Sequence, residues 1–297
     1  MSSTAQTATT ARDPKSVALA LVQLTKPGIT RMVLITTAAG AVVTPVSLHL
    51  PKLLVALFGT TLVVGSANAL NMYLERDVDG AMERTAGRPL PSGRLAPETA
   101  LWFGIALGVV GLFLLTFLVN LATGILGAVA LVSYALVYTP LKRVTPYALH
   151  VGTIPGAIPP LIGWAAVTGS LSLGALPLFA ILLVWQLPHF LAISLFRQAD
   201  YERAGLCVYS SVYGEAATRR AIVSYSILLA AVSVAPPLLG VGGLWYTVFA
   251  AILGASFVTV ALLGLRGNAG VRWARTVFYA SLPYLVLISG ALVVAAL

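Results

Sequence analysis

Residues 101–118 read LWFGIALGVVGLFLLTFL, a run without a single charged side chain. An α-helix needs about 20 predominantly apolar residues to cross the hydrocarbon core of a bilayer, so this run predicts a membrane-spanning helix. Eight further stretches of similar length and composition occur along the chain. The predicted spans are residues 29–48, 53–73, 98–118, 121–140, 147–168, 174–196, 219–239, 244–265 and 275–296.

The composition indicates an all-α polytopic integral membrane protein. Of the 297 residues, 59% are hydrophobic and 9% are charged, whereas about 25% of the residues of an ordinary soluble domain are charged. So few charged side chains cannot solvate the surface of a soluble protein of this size. The single cysteine, Cys207, excludes a disulfide framework and a cysteine-based metal site. We expect residues 1–27 to be a disordered tail and residues 28–297 a single transmembrane domain.

The distribution of basic residues predicts which ends of the nine spans face the cytoplasm. The chain has 18 Lys and Arg residues against nine Asp and Glu residues, a net charge of +9. All of the basic residues except Lys52 lie in the N-terminal segment or at alternate connections between spans. Because basic residues accumulate on the cytoplasmic side of membrane proteins, we expect a cytoplasmic N-terminus and an external C-terminus. The positive charge therefore requires no nucleic-acid partner.

Most of the acidic residues lie in two short segments, which follow the second and sixth spans on the predicted cytoplasmic side. In the first segment, Asn68, Asn71, Glu75 and Asp79 are spaced by three, four and four residues. This spacing places them on one face of a helix. Carboxylate and amide oxygens are ligands that suit Mg²⁺, whereas one cysteine and three scattered histidines do not suit zinc or copper. Alternatively, the acids pair with neighbouring arginines in a solvated loop.

The second segment places Asp200 between Arg197 and Arg203, at intervals of three residues. This pattern is consistent with a structural ion-pair network at the end of a helix. It is also consistent with a second metal-binding carboxylate flanked by guanidinium groups that bind phosphate. Together, the two segments predict a site for a lipid diphosphate and bridging Mg²⁺ at the cytoplasmic membrane surface.

Five stretches of the chain resemble one known family. Residues 71–94, NMYLERDVDGAMERTAGRPLPSGR, resemble the first aspartate-rich motif of the UbiA-type intramembrane prenyltransferases, and within that superfamily the protohaem IX farnesyltransferase (haem O synthase) branch. Four further stretches resemble the same branch: residues 138–146 (YTPLKRVTP), 156–169 (GAIPPLIGWAAVTG), 185–190 (WQLPHF) and 196–205 (FRQADYERAG). The chain departs from the superfamily pattern at Met72, Glu75 and Ala204, where aspartates are common.

The resemblance implies an Mg²⁺-dependent enzyme of the cell membrane that transfers the farnesyl group of farnesyl diphosphate to a vinyl group of protohaem IX. The products are haem O and diphosphate, and a downstream haem-modifying membrane enzyme is an expected partner. The resemblance implies that Mg²⁺ is bound by Asn68, Asn71, Glu75, Asp79 and Asp200, of which the last four are also catalytic. It implies that the diphosphate is bound by Arg84, Arg88, Lys142, Arg143, Arg197 and Arg203. It further implies haem contacts by Gln186, His189 and Trp164, and shielding of the allylic cation by Tyr138 and Tyr201.

Other interpretations of the sequence remain open. A related prenyltransferase could use a quinone precursor or a chlorophyllide as its acceptor. A secondary transporter is a third possibility, but transporters carry acidic residues near the middle of the bilayer, and here these residues cluster at one surface. His189 shares a helical face with Gln186 and Asp200, so it is either a haem contact or a hydrogen-bonded packing residue.

Overall fold

The computed structural model describes residues 13–266 and 269–297, and these residues form α-helices with no β-strand among them. Short 3₁₀ and π-helical segments connect several of the helices. The helices are α1 (Pro14–Leu24), α2 (Pro27–Val42), α3 (Leu50–Leu74), α4 (Arg76–Ala81), α5 (Glu83–Ala86), α6 (Pro97–Phe113), α7 (Leu121–Val132), α8 (Thr139–Leu141), α9 (Ala148–Ala157), α10 (Pro159–Thr168), α11 (Leu176–Phe196), α12 (Gln198–Arg203), α13 (Tyr209–Val234), α14 (Leu244–Leu262) and α15 (Gly270–Ala296).

Within the described residues, 8 helical stretches are long and apolar enough to cross a membrane. Helices α1 and α2 pass the same test together, although they bend by 45° at their junction, and the count is nine if this pair is one span. The predicted all-α polytopic membrane protein is therefore confirmed, while the orientation of the termini stays a prediction. The eight stretches are Leu50–Leu74, Pro97–Val119, Leu121–Leu141, Ala148–Thr168, Leu173–Phe196, Tyr209–Val234, Leu244–Leu265 and Gly270–Ala296.

Helix α1 differs from the disordered tail that the sequence predicted for residues 1–27. Residues 1–12 of that tail lie outside the described residues, whereas Pro14–Leu24 are helical. Asp13 caps this helix by accepting a hydrogen bond from the backbone N–H of Lys15. Ala20 and Leu24 are fully buried in a cluster with residues of α3 and α6. The segment is too short to span a bilayer alone, but its apolar face packs on the helices that do.

Helix α13 also differs from its predicted bounds, because it begins and ends earlier than the predicted span 219–239. Pro236 and Pro237 end the helix, since proline cannot donate the backbone hydrogen bond that would continue it. Near its start, Gly214 adopts φ 77° and breaks the helix into two parts.

Two glycines allow α2 and α10 to cross with their backbones in contact. A Cβ atom on Gly40 would lie 2.1 Å from the carbonyl oxygen of Pro160. A Cβ atom on Gly163 would lie 1.8 Å from the carbonyl oxygen of Thr37. Small residues at such crossings are typical of membrane helices, whose association depends on close packing rather than on the hydrophobic effect. This contact fixes α2 against the fifth span.

The other long helices pack against one another along the chain's membrane-spanning part. Helix α3 packs mainly against α6, while α11 packs against α13 and α15. At one membrane surface, the short helices α4 and α5 follow α3, and the short helix α12 follows α11. These short helices carry the acidic segments singled out above.

The predicted orientation can be tested by labelling two introduced cysteines in a Cys207→Ser background. Ala86 and Ser170 are both exposed and lie at opposite ends of the spans. We expect a membrane-impermeant maleimide to label Ser170→Cys in intact cells, and Ala86→Cys only after permeabilisation. The Cys207→Ser chain alone provides the background. Labelling of both cysteines in intact cells would contradict the proposed arrangement of the spans.

Candidate active site

Asn71, Glu75 and Asp79 meet at the end of α3, as their spacing predicts. Helix α3 ends at Leu74, and Glu75 links it to α4. The backbone N–H of Asp79 nevertheless donates to the carbonyl of Glu75 at 2.7 Å, so the helical direction continues. The relative exposures of Asn71, Glu75 and Asp79 are only 2%, 6% and 1%. Two carboxylates buried this deeply require partners of opposite charge.

Each buried carboxylate has a cation of its own. The Nζ atom of Lys142 lies 2.5 Å from Oε1 of Glu75. Nη1 of Arg88 lies 2.6 and 2.7 Å from the two carboxylate oxygens of Asp79. The structure therefore brings Arg88 and Lys142, both predicted to bind diphosphate, directly against the predicted metal ligands.

The side-chain amide of Asn71 connects this cluster to two other segments. Its Nδ2 atom donates to Glu75 at 2.8 Å and to the hydroxyl of Thr139 at 3.1 Å. Its Oδ1 atom accepts a hydrogen bond from Lys26 Nζ at 3.0 Å. Asn71 thus links α3 to α8 and to the junction between α1 and α2.

Lys26 is a site residue that the sequence analysis missed. It lies between α1 and α2 with φ 47°, a left-handed conformation that is unfavourable for residues other than glycine. This strained conformation at the bend accompanies a side chain that is directed toward Asn71. The only local signal in the sequence is a lysine directly before Pro27, at the same membrane surface as the acidic residues.

A π-helical segment, Ser133–Tyr138, contributes aromatic rings to the site. Tyr134 and Tyr138 both line the cavity described below, with ring centroids 5.5 Å apart. The ammonium group of Lys142 lies 4.8 Å from the ring centroid of Tyr138, at a distance suited to a cation–π interaction. Short π-helical segments inside membrane or soluble helices occur frequently at functional sites.

These residues open on a cavity of about 670 Å³, which is within the usual size range of ligand sites. Its wall combines positive charge with aromatic faces. The basic side chains outnumber the two carboxylates by four, so the cavity suits an anion. The charged and aromatic residues of the wall are Lys26, Arg84, Arg88, Lys142, Arg197, Arg275, Glu75, Asp79, Tyr134, Tyr138, Phe190, Phe196, Tyr201, Phe278 and Tyr279.

The structure does not bring Asp200 together with Glu75 and Asp79. Among the described residues, no three His, Cys, Asp or Glu side chains are close enough to hold one metal ion. Asp200 instead pairs with Arg203, and Nη1 of Arg197 lies 3.6 Å from its Oδ2. This is the ion-pair network that the sequence left open as an alternative, and of its two arginines only Arg197 also lines the cavity.

Two other charged or polar candidates lie apart from the cavity. Asn68 donates to the backbone carbonyl of Thr25 at 3.3 Å, beside an apolar pocket. Arg143 forms two hydrogen bonds to Asp77, whose side chain is 63% exposed. The hydrogen bond from Arg143 lowers the pKa of Asp77 below its usual range.

The three predicted haem contacts are dispersed. Trp164 lies near the opposite membrane surface, where it borders a separate cavity with Ser172 and Gly240. Gln186 donates to two backbone carbonyls and packs α11 against α9. His189 is adjacent to the main cavity but is buried, with its Nδ1 atom 2.7 Å from the hydroxyl of Ser281.

His189 is also enclosed by aromatic rings. Its ring stacks on Trp185 at 4.5 Å between centroids and lies 4.8 Å from Phe278, which itself lines the cavity. These contacts place His189 in a layer behind the cavity wall.

The donor set at the end of α3 fits a hard divalent cation. Asn71, Glu75 and Asp79 supply only oxygen ligands of the kind that Mg²⁺ prefers. Oε1 of Glu75 is buried, and its polar contact is the ion pair with Lys142. An oxygen whose partner is a lysine ammonium can accept a metal ion in its place.

The chain is similar to known proteins over nearly its whole length. The sequence profile of the UbiA prenyltransferase family matches residues 33–282. The protoheme IX farnesyltransferase of Sorangium cellulosum is 55% identical over 245 residues, covering 82% of this chain and 88% of that protein. The protoheme IX farnesyltransferase of Anaeromyxobacter dehalogenans is 46% identical over 285 residues, covering 96% of both chains.

Solved structures share the fold at much lower sequence identity. A digeranylgeranylglyceryl phosphate synthase structure matches with a TM-score of 0.80 at 19% identity, covering 95% of this chain and 99% of that chain. A UbiA homologue from Archaeoglobus fulgidus bound to DMAPP and Mg²⁺ matches with a TM-score of 0.67 at 13% identity, covering 92% of this chain and 99% of that chain.

The contrast between the buried and the exposed aspartate predicts different effects of the same substitution on stability. We expect Asp79→Asn to lower the free energy of unfolding by about 3 kcal/mol, because it leaves the charge of Arg88 without its partner in a buried setting. Asp77→Asn should cost less than about 1 kcal/mol, since its pair with Arg143 is exposed. The free energy of unfolding of each variant would be measured in detergent micelles. Equal decreases in the two variants would contradict the assigned burial of Asp79 and exposure of Asp77.

Proposed function

Because the chain belongs to the UbiA prenyltransferase family, we propose that it transfers the farnesyl group of farnesyl diphosphate to a vinyl group of protohaem IX. The products are haem O and diphosphate, and the step serves haem A formation and cytochrome oxidase maturation. The observation that carries the proposal is the pair of buried carboxylates, each held by a cation, at the surface end of an aromatic cavity. The names and the near-complete coverage of the farnesyltransferase relatives support it.

The cavity has two chemically different walls, which suit the two substrates. On one wall, Lys26, Arg88 and Lys142 surround the carboxylates, and they are the groups that we assign to the diphosphate. Arg84 also lines the cavity. Phosphate oxygens accept strong, charge-assisted hydrogen bonds from ammonium and guanidinium donors.

A second wall, which α11 and α15 contribute, suits a flat macrocycle with carboxylate side chains. Phe190, Phe196 and Phe278 offer aromatic faces against which a porphyrin can pack. The guanidinium groups of Arg197 and Arg275 each lie 5.9 Å from the ring centroid of Phe196. We assign these two arginines to the propionates of protohaem.

Glu75, Asp79 and Asn71 are the residues that would hold Mg²⁺. When bound, the ion would neutralise charge on the departing diphosphate and so ease cleavage of the bond to carbon. With the two carboxylates so occupied, Lys142 and Arg88 would donate to phosphate oxygens instead. The cations thus have two alternative partners of similar chemistry, carboxylate in the free protein and phosphate in the complex.

These assignments are consistent with the following reaction. The bond between C1 of the farnesyl chain and the diphosphate oxygen breaks, and the electron pair leaves with the diphosphate. The faces of Tyr134, Tyr138 and Tyr201 stabilise the allylic cation. The vinyl group supplies the electron pair for the new carbon–carbon bond, and the cation left beside the porphyrin takes the oxygen of a water molecule, with loss of one proton.

His189 supports the acceptor wall in this scheme rather than binding haem iron. Its hydrogen bond with Ser281 joins α11 to α15, and its ring backs Phe278. We further propose that the protein lies in the cytoplasmic membrane and that its product passes to a haem-modifying membrane enzyme, because haem O carries a long apolar tail.

The test of the function is the mass of the haem produced. The protein would be expressed in a host lacking its own haem O-forming enzyme, and extracted pigments would be analysed by mass spectrometry. The proposal requires a haem that has gained one farnesyl group and one hydroxyl group. Purified protein would then be supplied with Mg²⁺, farnesyl diphosphate and either protohaem or an aromatic acid. Transfer to the aromatic acid alone would overturn the assignment of the acceptor.

Two arginines on α15 provide a matched test of the acceptor wall. Arg275 lines the cavity, whereas Arg272 lies one turn earlier and is exposed outside it. We expect Arg275→Ala to raise KM for protohaem by about 10- to 100-fold, because the substitution removes a charged hydrogen bond to a propionate. KM for farnesyl diphosphate should stay within about twofold, and Arg272→Ala should change neither. An equal effect of Arg275→Ala on both substrates would contradict the division into two walls.

A further inference from the structure

The connection between α5 and α6 is held in place around Arg88 by hydrogen bonds on both sides of that residue. The backbone N–H of Arg88 donates to the carbonyl of Thr85 at 2.9 Å. The carbonyl of Arg88 accepts from the hydroxyl and the backbone N–H of Ser92, at 2.6 and 3.1 Å. The carbonyl of Gly87, directly before it, accepts from Nη2 of Arg94 at 2.7 Å. The three polar backbone groups nearest to the Arg88 side chain thus each have a partner.

Arg94 is the centre of this network. Besides its bond to Gly87, its guanidinium group donates through Nε to the hydroxyl of Ser92 at 3.0 Å. It also donates through Nη1 to Oε1 of Gln23 on α1 at 2.9 Å. A guanidinium group presents its donors in a rigid, planar fork, so one side chain can hold three acceptors in a set arrangement. Arg94 therefore holds the carbonyls on both sides of Arg88, one directly and one through Ser92, and ties them to α1.

The same connection is also fixed by apolar packing. Leu90 and Leu95 are buried in a cluster with Ala20 and Leu24 of α1. Arg94 is exposed, so its hydrogen bonds act on the solvent side of the connection while the leucines act on the inner side. The position of the connection thus depends on α1 through both kinds of contact.

We propose that Arg94 is a positioning residue for Arg88 and that, through Gln23, it makes diphosphate binding depend on helix α1. The inference rests on the proposed function, in which Arg88 passes from Asp79 to a phosphate oxygen. Arg94 itself lies outside the lining of the cavity and makes no contact with the two carboxylates. Its effect on the diphosphate is therefore exerted through the backbone of the connection.

The network matters because Arg88 has to change partners without losing its place. Its side chain is long and flexible, so the position of its backbone decides which acceptors its guanidinium group reaches. A backbone that is already ordered in the free protein adds no entropy cost when the ligand binds. Without Arg94, the carbonyl of Gly87 and the hydroxyl of Ser92 would turn to water, and the connection would gain conformations in which Arg88 cannot reach a phosphate. Binding of the diphosphate would then have to reorder it.

The end of α1 serves a second cation of the site as well. The backbone N–H of Lys26 donates to the carbonyl of Gln23 at 3.2 Å, and the ammonium group of Lys26 reaches Asn71. Gln23 thus contacts Lys26 through its backbone and Arg94 through its side chain. One residue of α1 connects two of the groups that we assign to the diphosphate.

Substitutions of Arg94 and Gln23 test the positioning role through binding of a non-hydrolysable farnesyl diphosphate analogue, which requires no acceptor. We expect Arg94→Ala to weaken binding by about tenfold, because the connection must be ordered again in the complex. Arg94→Lys keeps the charge but lacks the planar fork, so it should bind nearly as weakly as Arg94→Ala. Gln23→Ala should weaken binding by about threefold, since it removes one hydrogen bond of the network. Wild-type binding in Arg94→Lys would mean that only the charge matters, and it would overturn the positioning role.

The double variant Arg88→Ala/Arg94→Ala identifies the route of the effect. If Arg94 acts through Arg88, adding Arg94→Ala to Arg88→Ala should change binding of the analogue by less than about twofold. A further loss of about tenfold would show that Arg94 acts independently of Arg88, and would contradict the proposal.

The matched control is Arg76→Ala on α4, where another exposed arginine donates to a backbone carbonyl, that of Tyr73. It should leave binding of the analogue unchanged. Binding of protohaem should also be unchanged in the Arg94 variants, and equal weakening of both ligands would indicate a general structural role instead. If the variants follow the expected pattern but the wild-type protein transfers nothing to protohaem, the proposed function fails and the positioning role stands. If the protein transfers the farnesyl group and Arg94→Ala binds the analogue as the wild type does, the positioning role fails alone.

Discussion

The two buried carboxylates at the end of α3 impose the constraint on which the site depends. Glu75 and Asp79 are almost fully excluded from water, so each must be neutralised by a positive charge. Lys142 reaches Glu75 from the segment after α8, and Arg88 reaches Asp79 from the connection before α6. These ion pairs draw distant parts of the chain to one membrane surface. The arrangement that satisfies burial in the free protein also gathers the cations that a diphosphate requires.

The sequence predicted the features that depend on local spacing or on overall composition. Long apolar runs located the spans, and intervals of three and four residues placed Asn71, Glu75 and Asp79 together. Asn68 lies on the same helical face, but that face extends over several turns and contacts different neighbours at each turn. One turn deeper, the nearest acceptor is the backbone carbonyl of Thr25, so Asn68 binds there.

Features that depend on contacts between distant segments were not predictable from spacing. Lys26 and Arg275 enter the site from opposite ends of the sequence, and no interval in the chain relates them to Glu75. Trp164 was selected because it belongs to a motif, although its position near the end of the fifth predicted span already implied the opposite surface. Residues 1–27 were predicted to be a disordered tail because they are rich in Ser, Thr and Ala, yet within them α1 has partners on α3 and α6.

The close crossing of α2 and α10 has a consequence for how such a protein can change over evolutionary time. Gly40 and Gly163 have no room for even one additional carbon atom, so the spacing of the two helices is fixed by backbone contact. Adaptation to a differently sized lipid substrate cannot proceed by gradual separation of these helices. It must proceed by substitution of individual side chains that lie between the two helices, and each substitution changes the available space by one or a few carbon atoms. Variation among descendants should therefore be concentrated at the side chains beside this crossing, while the two glycines stay unchanged.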